Sequence, residues 1–252
     1  MGQKIAIITG GSRGLGRNAA VHLARRGVGS VITYRSGKQE AARVVAEVEE
    51  AGAKAVALEL DTTAHASFGE FAGAVTEALR ATWDRGRFDF LVNNAGTALH
   101  KPFAETTAAE LDAMFAVHFK GPFLLTQALL PLIEDGGRIL NVSSGLARVS
   151  TPGYSAYGAM KGAVEVLTRY QAAELGARRI SVNVLAPGAI ETDFGGGAVR
   201  DVAAINQMVA SMTALGRAGL PDDIGPIVAS LLADGVGWIN GQRIEASGGM
   251  RL

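Results

Sequence analysis

The most informative segment of the chain reads Lys4-Ile-Ala-Ile-Ile-Thr-Gly-Gly-Ser-Arg-Gly-Leu-Gly16. Its apolar, β-branched first half predicts a buried strand, and the residues after it predict a helix that ends near Gly27. Glycine lets the backbone approach a phosphate closely, and a helix N-terminus offers free N–H groups and a positive dipole end. The spacing Gly10-x-x-x-Gly14-x-Gly16 differs from the G-x-G-x-x-G fingerprint. The segment therefore predicts a strand–turn–helix unit that suits a nucleotide phosphate.

The same strand–helix alternation continues through all 252 residues. Further strands are predicted at about 30–34, 54–60, 88–92, 138–142, 180–185 and 242–245. Helices are predicted at about 38–51, 66–83, 108–132 and 221–233, with breaks in the long one at Gly121-Pro122. Residues 191–219 are predicted to be irregular, either a lid over a substrate or an ordinary connection. The alternation predicts an α/β fold, a doubly wound parallel sheet with helices on both faces, in one domain covering residues 1–252.

Composition narrows the classes of function. The formal net charge is zero, so neither a nucleic acid nor an acidic membrane is expected as a partner. There is no cysteine, and the four histidines form no closely spaced pair, so no metal site is expected. The N-terminal residues lack the pattern of a secretion signal, and no uninterrupted apolar stretch is long enough to span a bilayer. A cytoplasmic location is expected.

A candidate catalytic group lies in Tyr157-Gly-Ala-Met-Lys161 together with Ser144 upstream. Residues four apart on a helix share a face, so the ammonium of Lys161 would lie near the phenol of Tyr157. A nearby positive charge favours the phenolate and would lower the tyrosine pKa toward the working range. The Ser144 hydroxyl could bind a substrate oxygen. The three side chains could therefore move a proton to or from a carbonyl or an alcohol.

Other candidates lie where the predicted strands end, the edge at which such sheets bind ligands. Where dinucleotide folds often carry an acidic residue, this chain has Tyr34-Arg35-Ser36, and Arg13 lies in the glycine turn. Two guanidiniums can bind a 2′-phosphate, so NADP(H) is predicted over NAD(H), although both could be solvated surface residues. Asp61 could either cap the following helix or contact an adenine.

Together, these motifs resemble the short-chain dehydrogenase/reductase family over essentially the whole chain. The resemblance implies a Rossmann-type sheet of about seven strands and hydride transfer between NADP(H) and a carbonyl or alcohol. Tyr157 would be the acid or base, Lys161 would hold the nicotinamide ribose and lower the tyrosine pKa, and Ser144 would orient the substrate oxygen. It also implies a homo-oligomer, a tetramer or dimer, formed through the long helices and the C-terminal segment. The cofactor-binding residues then comprise Gly10, Ser12, Arg13, Gly14, Leu15, Gly16, Tyr34, Arg35, Ser36, Asp61, Thr62, Asn93, Ala95, Gly96, Tyr157, Lys161, Pro187, Gly188, Ile190 and Thr192.

Two stretches depart from the family pattern. His118 stands where the family often has an asparagine whose backbone carbonyl holds a relay water, so it is a further catalytic candidate. It could be a packed residue whose carbonyl keeps that role, or its imidazole could join the relay because histidine titrates near neutrality. The ending Glu245-Ala-Ser-Gly-Gly249 lacks the usual aspartate.

The expected activity is that of a carbonyl reductase or alcohol dehydrogenase similar to 3-oxoacyl-carrier-protein reductases. A sugar, polyol or steroid dehydrogenase and a catalytically weak nucleotide sensor remain alternatives. Substrate contacts are expected from Arg148 to Tyr154 and from the segment after Gly188, with Leu146, Val149 and Phe194 suggesting a partly apolar pocket.

Overall fold

A computed structural model describes residues 2–252 and contains one seven-stranded sheet. Its strand order is β3-β2-β1-β4-β5-β6-β7, and every strand pair is parallel. The strands are β1 Ile5–Ile8, β2 Gly29–Tyr34, β3 Ala55–Glu59, β4 Phe88–Asn93, β5 Ile133–Val142, β6 Ser181–Pro187 and β7 Arg243–Ala246. The predicted doubly wound parallel sheet is confirmed.

Helices cover both faces of this sheet. They are α1 Gly14–Ala24, α2 Lys38–Glu50, α3 Phe68–Trp83, α4 Ala108–Phe115, α5 Gly121–Leu129, α6 Ser155–Glu174, α7 Ala198–Asp201, α8 Ala203–Ser211 and α9 Pro221–Leu231. Two apolar clusters fill the layers between sheet and helices. One includes Leu23 of α1 and Val228 of α9, and the other includes Val75 of α3 and Leu125 of α5. Because parallel strands are buried on both faces, β1 and β2 are continuously buried, as their apolar runs predicted.

The predicted helix over 108–132 is continuous but not uniform. A π-helical turn, Ala116–Lys120, joins α4 to α5, and a 3₁₀ turn, Leu130–Leu132, follows. Pro122 has no N–H to donate to the carbonyl four residues back, so the chain widens into a π turn there and does not break. Gly121 suits this place, because a Cβ on it would lie 2.5 Å from the backbone oxygen of Thr62.

By length and composition, the stretch Ala108–Leu132 also passes as a membrane-spanning helix. The sequence expectation had counted only uninterrupted apolar runs, and Lys120 interrupts this one. Leu125 and Leu129 are buried in the core, whereas Phe115 and Phe123 are exposed on the outer face. The helix therefore packs on the sheet with one apolar face and leaves a second one outside.

Two further regions differ from the sequence prediction. Strand β5 begins at Ile133, earlier than the predicted residue 138, and its register against β4 shifts between Phe88 and Phe90. The left-handed backbone of Gly136, with φ of 82°, permits this irregular start. The segment 191–219 is only partly irregular, since it contains α7 and α8 after three consecutive glycines with positive φ, Gly195 to Gly197.

A buried polar chain crosses the sheet beneath α5 and α6. The Asn93 amide of β4 donates to Thr126 of α5 at 3.1 Å and to Asn141 Oδ1 of β5 at 2.8 Å. The Asn141 amide in turn donates to Thr168 Oγ1 at 2.9 Å and Gln171 Oε1 at 3.0 Å, both on α6. These bonds satisfy the buried N–H groups of both amides and fix two helices against two strands.

Candidate functional site

The glycine turn between β1 and α1 is tightly built. Gly10 and Gly14 adopt left-handed backbone conformations, with φ of 64° and 54°. A Cβ on Gly16 would lie 2.4 Å from the carbonyl oxygen of Gly10, so only glycine fits there without a shift of the backbone. The Asn94 amide donates to the carbonyl oxygens of Thr9, at 2.8 Å, and Gly10, at 3.2 Å. The turn is thus held against the end of β4, which brings the predicted glycine motif to the sheet's carboxyl edge.

The N-terminus of α1 fits a dinucleotide phosphate. Arg13 is its N-cap residue, no side chain among residues 2–252 caps it, and its first turn carries no acidic residue. The N–H groups at this end therefore remain available to an anion, and no carboxylate repels one. Ser12 and Leu15 lie on either side, Ser12 half-buried and Leu15 packed against the core.

Exposed cations lie at the end of β2, as predicted. Arg35 and Arg13 are both exposed, and neither has an ion-pair partner within residues 2–252. Ser36 is exposed beside Arg35, whereas Tyr34 is only 9% exposed and belongs to the apolar core. The Tyr34 side chain therefore packs beneath the site, and Arg35 with Ser36 forms the accessible rim.

Asp61 follows β3 and caps a turn. Its Oδ1 accepts hydrogen bonds from the Thr63 N–H at 2.8 Å and the Thr63 hydroxyl at 2.7 Å. These bonds, aided by Arg35, hold the pKa of the Asp61 carboxyl below its ordinary value. Asp61 therefore closes a local turn and does not cap α3, whose N-cap residue, Ser67, makes no side-chain capping bond within residues 2–252. The carboxylate also neighbours the Arg35 rim. Thr62, partly buried, directs its carbonyl toward Gly121.

The remaining predicted cofactor residues converge from β4 and β6. Ala95 donates its N–H to Thr9 Oγ1 at 2.9 Å, and exposed Gly96 follows it. Past Pro187, the end of β6, Gly188 fits closely against Ser247, because a Cβ on it would lie 2.9 Å from the Ser247 Cα.

Ile190 forms a bridge to Gly219, and Thr192 is buried, accepting a hydrogen bond from the Phe194 N–H at 3.2 Å. A Cβ on Gly14 would lie 3.8 Å from Thr192, so the glycine turn and this segment face each other.

The three catalytic candidates come together near the sheet's carboxyl edge. Tyr157 and Lys161 are each 5% exposed on α6, and the Lys161 Nζ lies 5.7 Å from the Tyr157 ring centroid. Lys161 donates to the Val142 carbonyl at 2.7 Å. Ser144 Oγ accepts from the Leu146 N–H at 3.2 Å, and Ser144 lies close enough to Tyr157 to lower its pKa.

Burial controls the protonation of this group. It raises the pKa of Tyr157 to about 12, against the opposing effect of Ser144. It also lowers the pKa of Lys161 to about 8. The net shift of the Tyr157 pKa is therefore upward, opposite to the predicted direction, because desolvation of the phenolate outweighs the hydrogen bond with Ser144. At neutral pH Tyr157 carries its proton and Lys161 is mostly charged.

His118 packs directly against the candidate catalytic tyrosine. Its ring meets the Tyr157 ring edge-on, with centroids 5.1 Å apart, and its Nε2 donates to the Thr97 carbonyl at 2.8 Å. Burial, with a smaller contribution from Lys161, lowers the pKa of His118 to about 3. The alternative in which this imidazole titrates near neutrality is wrong, because the ring is 1% exposed and stays neutral. His118 remains a candidate only as a fixed, neutral side chain.

Some residues that shape the site were not among the sequence candidates. Asn94 fixes the glycine turn, and Glu165, one helical turn after Lys161, binds Ser143 at 2.7 Å. The four-residue spacing could have pointed to Glu165. Tyr154 and Phe194, which the sequence did predict as substrate contacts, lie 6.5 Å and 5.7 Å from Tyr157, between ring centroids. Only the folded chain shows that these rings flank the catalytic candidate.

Comparison with known proteins agrees with this geometry. The family description "Enoyl-(Acyl carrier protein) reductase" matches residues 10–251. The chain is 36% identical to the hydroxynaphthalene reductase-like protein Arp2 of Metarhizium brunneum, over 98% of this chain and 94% of that protein. The chain belongs to the short-chain dehydrogenase/reductase family, and it is an oxidoreductase of that family.

Two solved structures are also similar. The promiscuous reductase LugOII, which catalyses keto-reduction at C1 during lugdunomycin biosynthesis, aligns with a TM-score of 0.94 and 37% identity, covering 99% of this chain and 98% of that one. The angucycline C-6 ketoreductase LanV with bound NADP aligns with a TM-score of 0.93 and 34% identity, covering 98% and 95%.

Proposed function

We propose that this protein uses NADPH to reduce a ketone on a planar aromatic substrate to the alcohol. The observation that carries the proposal is the grouping of the buried, protonated Tyr157 phenol with Lys161 and Ser144 near the carboxyl edge of the sheet. A protonated acid suits the reductive direction, because the oxygen of a ketone must gain a proton as its carbon gains a hydride.

The cofactor, when bound, supplies the hydride. The free N–H groups at the start of α1 would hold its pyrophosphate, and Arg13 and Arg35 would hold the 2′-phosphate that distinguishes NADPH from NADH. NADP bound to the related LanV supports this reading. Lys161 binds the nicotinamide ribose, as the family resemblance implies.

The chain's own side chains then deliver the proton. Ser144 donates a hydrogen bond to the carbonyl oxygen and orients it toward the Tyr157 hydroxyl. Tyr157 transfers its proton to that oxygen as the carbon is reduced, and the charge of Lys161 stabilises the phenolate left behind. Water replaces the lost proton after the alcohol leaves.

The aromatic side chains around Tyr157 support a planar aromatic substrate. Tyr154 and Phe194 flank the catalytic ring, and the His100 ring lies 4.8 Å from Tyr154, between centroids. Aromatic walls favour flat rings by offset or edge-on stacking. Relatives that are named hydroxynaphthalene reductase-like proteins and angucycline ketoreductases point to the same substrate class.

NADPH oxidation by the purified protein tests this proposal, with hydroxynaphthalenones, aliphatic β-ketoesters and sugars as substrates. We expect turnover of the aromatic ketones and none with Tyr157→Phe, while NADPH still binds the variant. Preferential reduction of sugars or of aliphatic β-ketoesters would refute the substrate class. Tight NADPH binding without turnover of any substrate would favour the nucleotide-sensor alternative.

We also propose that the chain forms homo-oligomers through α5 and α6. Both helices expose apolar side chains along one groove, including Phe123 of α5 and Val166 and Tyr170 of α6. A second copy, related by a twofold axis, would cover the same surface on both partners. Sedimentation of Tyr170→Glu tests this: the wild type should sediment as a dimer or tetramer and the variant as a smaller species. A monomeric wild type would refute the proposal.

A further inference from the structure

A partly buried network of charges lies behind the candidate serine. Its centre is Arg243 of β7, whose Nε donates to Glu165 Oε1 at 2.8 Å and whose Nη1 donates to Glu245 Oε2 at 2.8 Å. Its Nη2 also reaches the backbone oxygen of Ser144 at 3.5 Å. The Arg243 side chain is 23% exposed, and that of Glu165 is 15% exposed. One guanidinium therefore joins the last strand, helix α6 and the residue that carries the candidate hydroxyl.

Glu165 connects this network to the other catalytic candidates. It lies four residues after Lys161 on α6 and so shares its helix face. Its Oε1 accepts a hydrogen bond from Ser143 Oγ at 2.7 Å, and the same hydroxyl lies 3.3 Å from the Lys161 carbonyl. The Ser143–Ser144 pair is thus held from two sides. Glu165 binds the hydroxyl of Ser143, and Arg243 contacts the backbone oxygen of Ser144.

Glu245 extends the network to the predicted substrate segment. Its Oε1 accepts from Arg148 at 3.0 Å and from the Ser247 hydroxyl at 3.1 Å. Arg148 closes the short 3₁₀ turn that starts after Ser144. Both ends of that turn are therefore tied, directly or through Glu245, to Arg243.

We propose that Arg243 is a positioning residue, which holds Ser144 and the turn from Gly145 to Arg148 in register with Tyr157. The proposal rests on the ketone reduction proposed above. A serine that orients a carbonyl oxygen must be placed to a fraction of an ångström. Several hydrogen bonds from one planar guanidinium can hold the serine's loop in place with little loss of side-chain entropy. Alternation of two bases with two acids leaves the network neutral, so it holds the loop without placing net charge behind the substrate.

Arg243→Met tests the proposal, because methionine keeps much of the apolar stem and removes the fork. We expect kcat for ketone reduction to fall about ten- to hundredfold with the KM for NADPH little changed. Arg243→Lys, which keeps the charge, should recover part of kcat. The matched control is Arg178→Met, since Arg178 also bonds a carboxylate and two backbone carbonyls, at the opposite end of the sheet. Equal losses of kcat in the two methionine variants would overturn the proposal.

Amide hydrogen exchange supplies a readout that does not depend on turnover. Arg243→Met should raise exchange in the segment 144–148, and Arg178→Met should not. Unchanged exchange in this segment would overturn the positioning role, whatever the activity. A wild type that reduces no ketone, together with faster exchange in Arg243→Met, would refute the proposed function and still support Arg243 as the residue that orders this turn.

Discussion

The reductase should lose activity in mild alkali through one group, Lys161. Burial lowers the pKa of this lysine from its ordinary value of 10.5 to about 8, whereas Tyr157 titrates near 12 and His118 near 3. Within the usable pH range, Lys161 is therefore the member of the catalytic group whose charge changes. Its neutral form lacks the ammonium that stabilises the tyrosine phenolate. One pH unit above this pKa, about one molecule in eleven keeps a charged Lys161. Activity should therefore fall about tenfold for each pH unit above the pKa.

The assay is kcat/KM for NADPH between pH 6 and 10 at saturating ketone, because this ratio reports pKa values of the free enzyme. The wild type should show a plateau and then a falling limb from about pH 8. In Lys161→Arg the guanidinium stays charged throughout, so the residual activity should lack that limb. Circular dichroism at each pH excludes unfolding as the cause. A flat wild-type profile to pH 10, or an unchanged limb in Lys161→Arg, would refute the assignment.

Three further predictions concern Arg35, the glycine turn and the burial of Lys161. Arg35→Asp should raise the KM for NADPH about ten- to hundredfold and affect NADH far less, because it replaces a phosphate-binding cation by an anion; an unchanged NADPH-to-NADH ratio would contradict this role. Gly16→Ala should weaken NADPH binding about fivefold or more in a fluorescence titration, because its Cβ would lie 2.4 Å from a backbone oxygen. Gly73→Ala, on α3 with no atom near the new Cβ, should bind normally, and similar binding by both would argue against a strained turn. Finally, the pKa of Lys161 is about 8 in the folded protein and 10.5, its ordinary value, in the unfolded chain. Between these two pH values the unfolded chain binds more protons than the folded one, so the free energy of unfolding of the wild type should rise with pH there. Relative to Lys161→Met, the gain should approach about 3 kcal/mol in urea unfolding, and parallel pH profiles would contradict the burial penalty.

The sequence predicted the features that depend on local pattern. Apolar runs such as Ile5–Ile8 alternate with helices along the chain, and a parallel sheet gathers the ends of its strands at one edge, where the turn from Gly10 to Gly16 lies. The spacing of Tyr157 and Lys161 likewise predicted their shared face. At Gly121-Pro122 the sequence predicted a break in the helix, whereas the structure has a π turn just before these residues. Sequence alone does not show whether neighbouring elements hold a helix together at a proline.

Features that depend on burial or on distant partners could not be predicted. The pKa of Tyr157 moved opposite to the expected direction, since desolvation depends on everything packed around a side chain. Arg243 and Ser144 are far apart in sequence and meet only because a single strand, β6, separates β7, which carries Arg243, from β5, which Ser144 follows. Tyr34 looked like a cofactor contact and became core, since the exposed position falls one residue later, at Arg35.

The buried polar chain from Thr126 through Asn93 and Asn141 to Thr168 limits how this protein can be redesigned. Each amide donates to two partners, so an apolar replacement of Asn141 alone would remove one partner from Asn93 of β4 and one each from Thr168 and Gln171 of α6. A buried polar group without a partner costs about 1–3 kcal/mol, whereas removing a whole set of partners together can be nearly neutral. Each single apolar replacement in this layer is therefore expected to destabilise the protein, even if replacing all its polar side chains together would not. A library that changes one position at a time would not find the fully apolar version.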